Sequence, residues 1–108
     1  MEETDNELIS FGLIAASGEA RSMAFEALKA ARSGDFDKAD ELMKKSQEAS
    51  LEAHNQQTAL LTNEAQGNHI NVDVILVHAQ DHLMTSMLAQ ELISELINLY
   101  KTKQDRAD

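Results

Sequence analysis

Proline is absent from all 108 residues, and glycine occurs only four times. These two residues interrupt helices and build tight turns, so a chain poor in both is unsuited to the many turns of a β-sandwich or β-barrel. Apolar residues make up 43% of the chain, which is enough to build a core and argues against wholesale disorder. The sequence therefore predicts a single all-α domain.

Two short breaks interrupt an otherwise helical pattern. The first is Ser33-Gly34-Asp35, in which Gly34 suits the left-handed position after a helix and Asp35 suits an N-cap. The second runs from Gln66 to His69, and Asn71 is the expected cap of the segment that follows. Both breaks are short, so we expect neighbouring helices to be antiparallel, in an up-down-up three-helix bundle.

Apolar residues recur at helical spacing on either side of these breaks. The pattern predicts helices over about residues 6–32, 36–64 and 72–101. These helices form one domain over residues 1–103, and residues 104–108 are expected to be a frayed polar tail.

Charge and composition exclude several classes of function. The chain carries 19 acidic and 9 basic side chains, for a formal charge of -10. Nucleic acid and anionic membranes both require a cationic face, so neither is an expected partner. Cysteine is absent, which excludes disulfides and thiolate metal sites. No apolar run approaches the ~20 residues of a membrane-spanning helix. We expect a soluble, cytoplasmic protein that attracts a basic partner surface.

The third helix carries polar residues in the middle of an apolar seam. Steps of three and four residues define this seam, which consists of Val74, His78, Asp81, Thr85, Leu88, Leu92, Glu95 and Leu99. His82 follows His78 by four residues, so both histidines share one helix face with Asp81. A 108-residue bundle cannot cover three long helices by itself, so we expect copies of the third helix to pack together along the seam.

Such an assembly would bring Asp81 of every subunit to the symmetry axis. Unpaired buried carboxylates are costly, so a divalent cation or shared protons would have to compensate them. Oxygen ligands suit a hard ion such as Mg²⁺. Two other interpretations remain open: Asp81 acts only as a register device, or His78 and His82 chelate zinc in a small metalloenzyme. His54 and His69 have no such neighbours and are expected to be structural or surface residues.

The segment Val77-His78-Ala79-Gln80-Asp81-His82-Leu83-Met84-Thr85 resembles the signature of the enzyme IIA components of the lactose/cellobiose class of the sugar phosphotransferase system. Collinear matches extend the resemblance over most of the chain. They comprise the segments 17–22 and 34–36, then 52–54, 60–61 and 64–67.

The resemblance implies a homotrimer of three-helix bundles whose third helices form a central, coiled-coil-like core. It implies that His78 accepts a phosphoryl group from the phosphocarrier protein HPr and passes it to the cognate enzyme IIB, for uptake of a β-linked disaccharide of the cellobiose, chitobiose or lactose type. It also implies that His82 and Gln80 help to hold the phosphoryl group. Asp81 would bind a divalent metal, expected to be Mg²⁺, at the threefold axis, and the sugar would bind the membrane component.

A non-catalytic helical interaction module is the main alternative. The stretch from Ala27 to Ala53 is similar to a tetratricopeptide hairpin, which would offer a peptide-binding groove and leave His78 inert. A coiled-coil assembly protein is a second form of this alternative. No repeat of about 34 residues follows, and a hairpin of this kind does not explain the polar patch in the third helix.

Overall fold

The computed structural model describes residues 3–107, with the side chains of residues 7–106. This part of the chain forms three helices, α1 (Glu3–Arg32), α2 (Phe36–Ala65) and α3 (Val74–Ala107), and contains no strand. The helices lie side by side in a rod of 58 × 21 × 19 Å, with α2 running opposite to α1 and α3. The predicted all-α three-helix bundle is therefore confirmed.

The second residue of each connection is a glycine in the left-handed region of backbone space. Gly34 has φ +86° and Gly67 has φ +89°. After α1, the amide of Asp35 donates to the Ala30 carbonyl and the amide of Gly34 donates to the Ala31 carbonyl. This is a Schellman motif, and the same pattern closes α2 around Gly67. The prediction for Gly34 is confirmed.

Aspartate caps the N-termini of the second and third helices. The carboxylate of Asp35 accepts a 3.2 Å hydrogen bond from the Lys38 amide, which confirms the predicted cap of α2. At α3 the predicted cap, Asn71, is wrong, because Asp73 accepts a 2.8 Å bond from the Leu76 amide and the helix begins one residue later. Both residue types can cap a helix, so the path of the connection decided between them.

The end of α3 corrects a second boundary. Residues 104–107 continue the helix instead of fraying, and residue 108 lies outside the described residues. Neither glycine nor proline follows Lys101 to interrupt the helix. Lys101 also anchors this end to α2 through a 2.8 Å ion pair with Asp40.

Small side chains allow the helices to approach closely. The largest core cluster is formed by Ala24, Ala27, Ala30, Ala31, Ala39, Met43, Ile93 and Ile97. A second cluster around Leu13 and Leu83 fills the other half of the rod. α1 packs along both other helices, whereas α2 and α3 meet at few positions. The third helix therefore keeps most of one side free.

A buried polar link joins all three helices. The fully buried Ser46 on α2 donates a 2.6 Å hydrogen bond to the Ala20 carbonyl on α1. Gln90 on α3 donates its amide to the Ser46 hydroxyl at 2.8 Å. The Ser46 hydroxyl on α2 therefore links α2 to both other helices and helps to fix their positions along the bundle axis.

Ser46→Ala is expected to destabilise the fold by about 1–3 kcal/mol, because the Ala20 carbonyl loses its buried hydrogen-bond donor and the half-buried Gln90 amide loses its acceptor. Chemical denaturation measures this change in the free energy of unfolding. Ser33→Ala is the matched control, since the Ser33 hydroxyl bonds only to the Lys29 carbonyl at an exposed helix end. Equal denaturation midpoints for the two variants would contradict the prediction.

Candidate functional site

α3 exposes a row of large apolar side chains on the side opposite to its core contacts. Their exposed fractions run from 55% to 84%, and the row consists of Val74, Val77, Met84, Leu88, Leu92 and Leu99. We call this row the outer stripe of α3. Its members are three, four or seven residues apart, so they lie on one face of the helix, and Asp81 and Glu95 occupy that face in the two seven-residue gaps. Monomeric soluble proteins rarely expose an apolar surface of this length, which points to a covering partner.

Asp81 lies within the outer stripe, between Val77 and Met84. Its side chain is exposed and has no ion-pair partner among residues 7–106. Any partner that covers the stripe would therefore bury the Asp81 carboxylate, for which the described residues of this chain provide no counter-charge. Within one copy, the described residues contain no group of three or more potential ligands that could hold a metal ion. A metal ion at Asp81 would therefore need further ligands from outside the chain.

His78 and His82 are brought together beside the outer stripe. Their rings are stacked, with centroids 5.8 Å apart and planes inclined by 12°. His78 is exposed, whereas His82 is half-buried and lies against α1. The predicted proximity of the two histidines is confirmed, whereas Asp81 lies in the adjoining outer stripe. The stacked rings and the absence of a third ligand in the described part of the chain give no support to a zinc site.

Gln80 lies on the other side of α3. Its amide and that of Gln57 on α2 form two reciprocal hydrogen bonds, of 2.6 and 2.7 Å. Residues two apart on a helix do not face each other, so Gln80 cannot contact the ring of His78 in the same chain. The structure thus unites His78 with His82, and leaves Gln80 in the partly open groove between α2 and α3.

The two remaining histidines lie outside this site. His54 is exposed on α2, and His69 is exposed in the connection before α3, with its Nδ1 atom 2.8 Å from a Glu64 carboxylate oxygen. The prediction that both are structural or surface residues is confirmed.

Two residues at the site were not identified from the sequence as part of it. Gln57 is the partner of Gln80, and nothing in the α2 pattern marks it out. Gly18 on α1 lies directly beneath the His82 ring, where a Cβ atom would come within 3.3 Å of Nε2. A glycine in the interior of a helix was the available signal, because helices disfavour it.

The chemistry available at this site is that of an accessible nucleophile. A neutral imidazole has a nitrogen lone pair that can attack an electrophile, and the second ring stands near enough to interact with whatever the first one binds. No helix in the described part of the chain is long and apolar enough to span a membrane. The site therefore belongs to a helical rod that offers one exposed imidazole beside an apolar stripe.

Comparison with known proteins gives consistent matches. The family model described as PTS system, Lactose/Cellobiose specific IIA subunit, matches residues 8–101. The lactose-specific EIIA component of Streptococcus mutans is 45% identical over 101 residues, which cover 94% of this chain and 97% of that protein.

Two solved structures have the same fold. The PTS cellobiose-specific enzyme IIA from Bacillus anthracis superposes with a TM-score of 0.90 and 46% identity, covering 97% of this chain and 94% of that one. The IIA protein in the solution structures of the IIA(Chitobiose)-HPr complex of Escherichia coli gives a TM-score of 0.78 and 48% identity, covering 96% of this chain and 99% of that one.

Proposed function

This chain belongs to the lactose/cellobiose-specific IIA subunit family of the sugar phosphotransferase system, and from that premise we propose that its His78 relays a phosphoryl group from phosphorylated HPr to a cognate enzyme IIB. Membership makes the chain a phosphotransferase component. The observation that carries the assignment to His78 is the exposure of its ring in a segment where the neighbouring histidine is half-buried. Two partners must reach the same nitrogen in turn, and His78 is the accessible one.

In the accepting step, the lone pair of a neutral His78 nitrogen attacks the phosphorus of phosphorylated HPr. A nitrogen–phosphorus bond forms while the bond from phosphorus to the donor breaks. In the donating step the new bond breaks as enzyme IIB attacks the same phosphorus. Phosphoryl transfer demands chiefly positioning and charge stabilisation, so a single nucleophile with a few hydrogen-bond donors is sufficient.

His82 and Gln80 supply those donors in our proposal. The His82 ring is 5.8 Å from that of His78, so a phosphoryl group on His78 lies within its reach. A protonated imidazole or a side-chain amide placed near the phosphoryl oxygens stabilises their charge. Gln80 faces α2 in its own chain, and we assign it to the phosphoryl group of a neighbouring subunit.

The outer stripe of α3 supports a homotrimer in this proposal, with three copies of α3 around a common axis. Burying one large apolar side chain contributes roughly 1.5–3 kcal/mol, so six stripe residues in each of three chains provide a large driving force. The α2-facing flank of one α3 would then adjoin the α1-facing flank of the next. That arrangement would bring Gln80 of one subunit towards His78 of another.

Asp81 fits a divalent cation at the axis of such a trimer. The fit rests on its position within the outer stripe and on its lack of a cationic partner in the described residues of its own chain. Three carboxylates would provide oxygen ligands of the kind that Mg²⁺ prefers. When bound, the ion would neutralise charge and join the subunits, and the relay chemistry itself would remain with His78.

Asp81→Leu is expected to abolish the response of the trimer to Mg²⁺ while leaving the trimer assembled. The substitution replaces a cluster of like charges with an apolar seam, and replacing buried charges with packed apolar residues is often neutral or stabilising. Melting temperatures with Mg²⁺ and with a chelator measure the response. Glu95→Leu, which removes a carboxylate elsewhere on the seam, serves as control and should keep it. A full Mg²⁺ response in Asp81→Leu would contradict the assignment.

Charge supports a basic partner surface. Each chain carries -10 at pH 7, so a trimer would present about three times that charge. Such a field accelerates encounter with a basic surface on HPr or enzyme IIB more than it strengthens the final complex. Fast encounter with short-lived binding suits a carrier that must exchange partners.

We propose that the relay operates in the cytoplasm, where phosphoenolpyruvate supplies the system. The related proteins act for lactose, for cellobiose and for N,N'-diacetylchitobiose, so we propose a β-linked disaccharide as the transported sugar. The tetratricopeptide alternative is replaced by the family assignment. The helix lengths also disagree with it. α1 and α2 have 30 residues each, whereas a whole tetratricopeptide repeat, with both of its helices, has only about 34 residues.

The test is reconstitution of the relay. The chain is incubated with phosphoenolpyruvate, enzyme I and HPr, and the expected product is an acid-labile, base-stable phosphate on one histidine. Addition of the cognate enzyme IIB should then remove the label from this chain. A chain that never takes up phosphate would overturn the proposal and favour a pure binding role.

A further inference from the structure

Gly18 occupies the middle of α1, where glycine is unexpected. Among ordinary residues only proline is less favourable in a helix interior. The backbone there does not require glycine, since Gly34 and Gly67 are the glycines with positive φ in the described chain. The reason for a missing side chain must therefore be sought in what packs against it.

The His82 ring is what packs against Gly18. A Cβ atom built on Gly18 would lie 3.3 Å from His82 Nε2, and no other heavy atom is within 4 Å of that position apart from its own helix and chain neighbours. This separation is shorter than most contacts of real Cβ atoms, so any side chain at residue 18 would push the imidazole away from α1. The ring is half-buried there, between α1 and the exposed ring of His78.

We propose that Gly18 is a positioning residue for phosphoryl transfer at His78, acting through His82. The inference rests on the proposed relay function. Because residue 18 has no side chain, the His82 ring can lie against α1. This contact holds the ring nearly parallel to that of His78, with the ring centroids 5.8 Å apart. The position of the His82 ring beside a phosphoryl group on His78 is then determined by helix packing, and the ring does not exchange freely among rotamers.

Gly18→Ala separates this role from a structural one, because the two predict opposite patterns. Alanine favours the helix, so the melting temperature should stay equal or rise. The displaced His82 should nevertheless slow phosphorylation of His78 by about three- to tenfold, since a shift of a few tenths of an ångström costs less than the hundredfold typical of 1 Å. Rapid-quench measurement of phosphate transfer from phosphorylated HPr determines the rate.

Gly12→Ala is the matched control on the same helix. Its Cβ would meet the side-chain end of Gln56 on α2, which can move aside, and it does not approach either histidine of the site. It should gain helix stability as Gly18→Ala does, with an unchanged transfer rate. Ring resonances of His82 and His78 should shift in Gly18→Ala and stay in place in Gly12→Ala.

A double mutant identifies His82 as the intermediary. Gly18→Ala should have no further effect on the rate once His82 has been replaced by alanine. Multiplicative losses in the double mutant, or a wild-type rate in Gly18→Ala alone, would overturn the inference and leave the relay function intact. A wild-type protein that takes no phosphate on His78 would instead overturn the relay function, and this inference with it.

Discussion

His78→Ala is expected to reduce phosphate incorporation from phosphorylated HPr by at least about a thousandfold. The imidazole supplies the lone pair that forms the bond to phosphorus, and alanine has none. His82 is not expected to take over, because its ring still lies against Gly18 of α1 when His78 is replaced. The helical circular-dichroism spectrum should be unchanged, since an exposed side chain is removed.

Phosphorylation with labelled phosphoenolpyruvate measures this effect, and peptide mapping of the wild type identifies the labelled residue. His54→Ala is the control, because His54 is also an exposed histidine but lies on α2, away from the stacked pair. It should label as the wild type does. Label at the wild-type level in His78→Ala would refute the assignment of the nucleophile.

Leu88→Asp is expected to dissociate the proposed trimer into single chains. Leu88 is 56% exposed in the isolated chain and lies in the outer stripe, so a trimer would bury three added carboxylates in an apolar seam. Each buried ion costs several kcal/mol, which weakens association by at least about a thousandfold. Light scattering should report a mass near the 11.9 kDa of one chain, against three times this value for the wild type.

Leu51→Asp is the control for this change. Leu51 is 58% exposed on α2, so the same substitution is made at a leucine of nearly equal exposure outside the outer stripe. It should leave the mass of the wild-type assembly unaltered. A Leu88→Asp protein that keeps the full trimer mass at micromolar concentration would show that α3 does not form the central contact.

Local sequence signals predicted every helix boundary to within six residues, and most of them to within three. Gly34 and Asp35 together indicate the first turn. Gly34 tolerates the left-handed backbone conformation, and Asp35 supplies the carboxylate that caps α2. The errors occurred where such signals compete or are missing. Asn71 and Asp73 can both cap a helix, and the polar residues after Lys101 contain nothing that ends one.

The candidate site was only partly visible at the same level. Helical spacing puts His78, Asp81 and His82 on one face, and the structure brings the two imidazole rings together while Asp81 lies in the neighbouring outer stripe. The same spacing places Gln80 on a different face from His78. Gln80 could therefore contact a phosphoryl group on His78 only if the two residues belong to different chains. Gln57 and Gly18 act through neighbours on other helices, and a pattern within one helix contains no information about which neighbour it will meet.

The sequence by itself determined three helices, their two turns, the order of the chemistry-bearing residues along α3 and the family to which the chain belongs. The family follows from matches along most of the chain. The helices, the turns and the order along α3 depend on neighbours within a few residues, where backbone preference and helical period decide the outcome. Only the tertiary structure decided which imidazole stays exposed, which one lies against a glycine of α1, and which leucines remain uncovered. Those outcomes depend on contacts between residues distant in the chain, such as Gly18 with His82, and so on how three helices settle against one another.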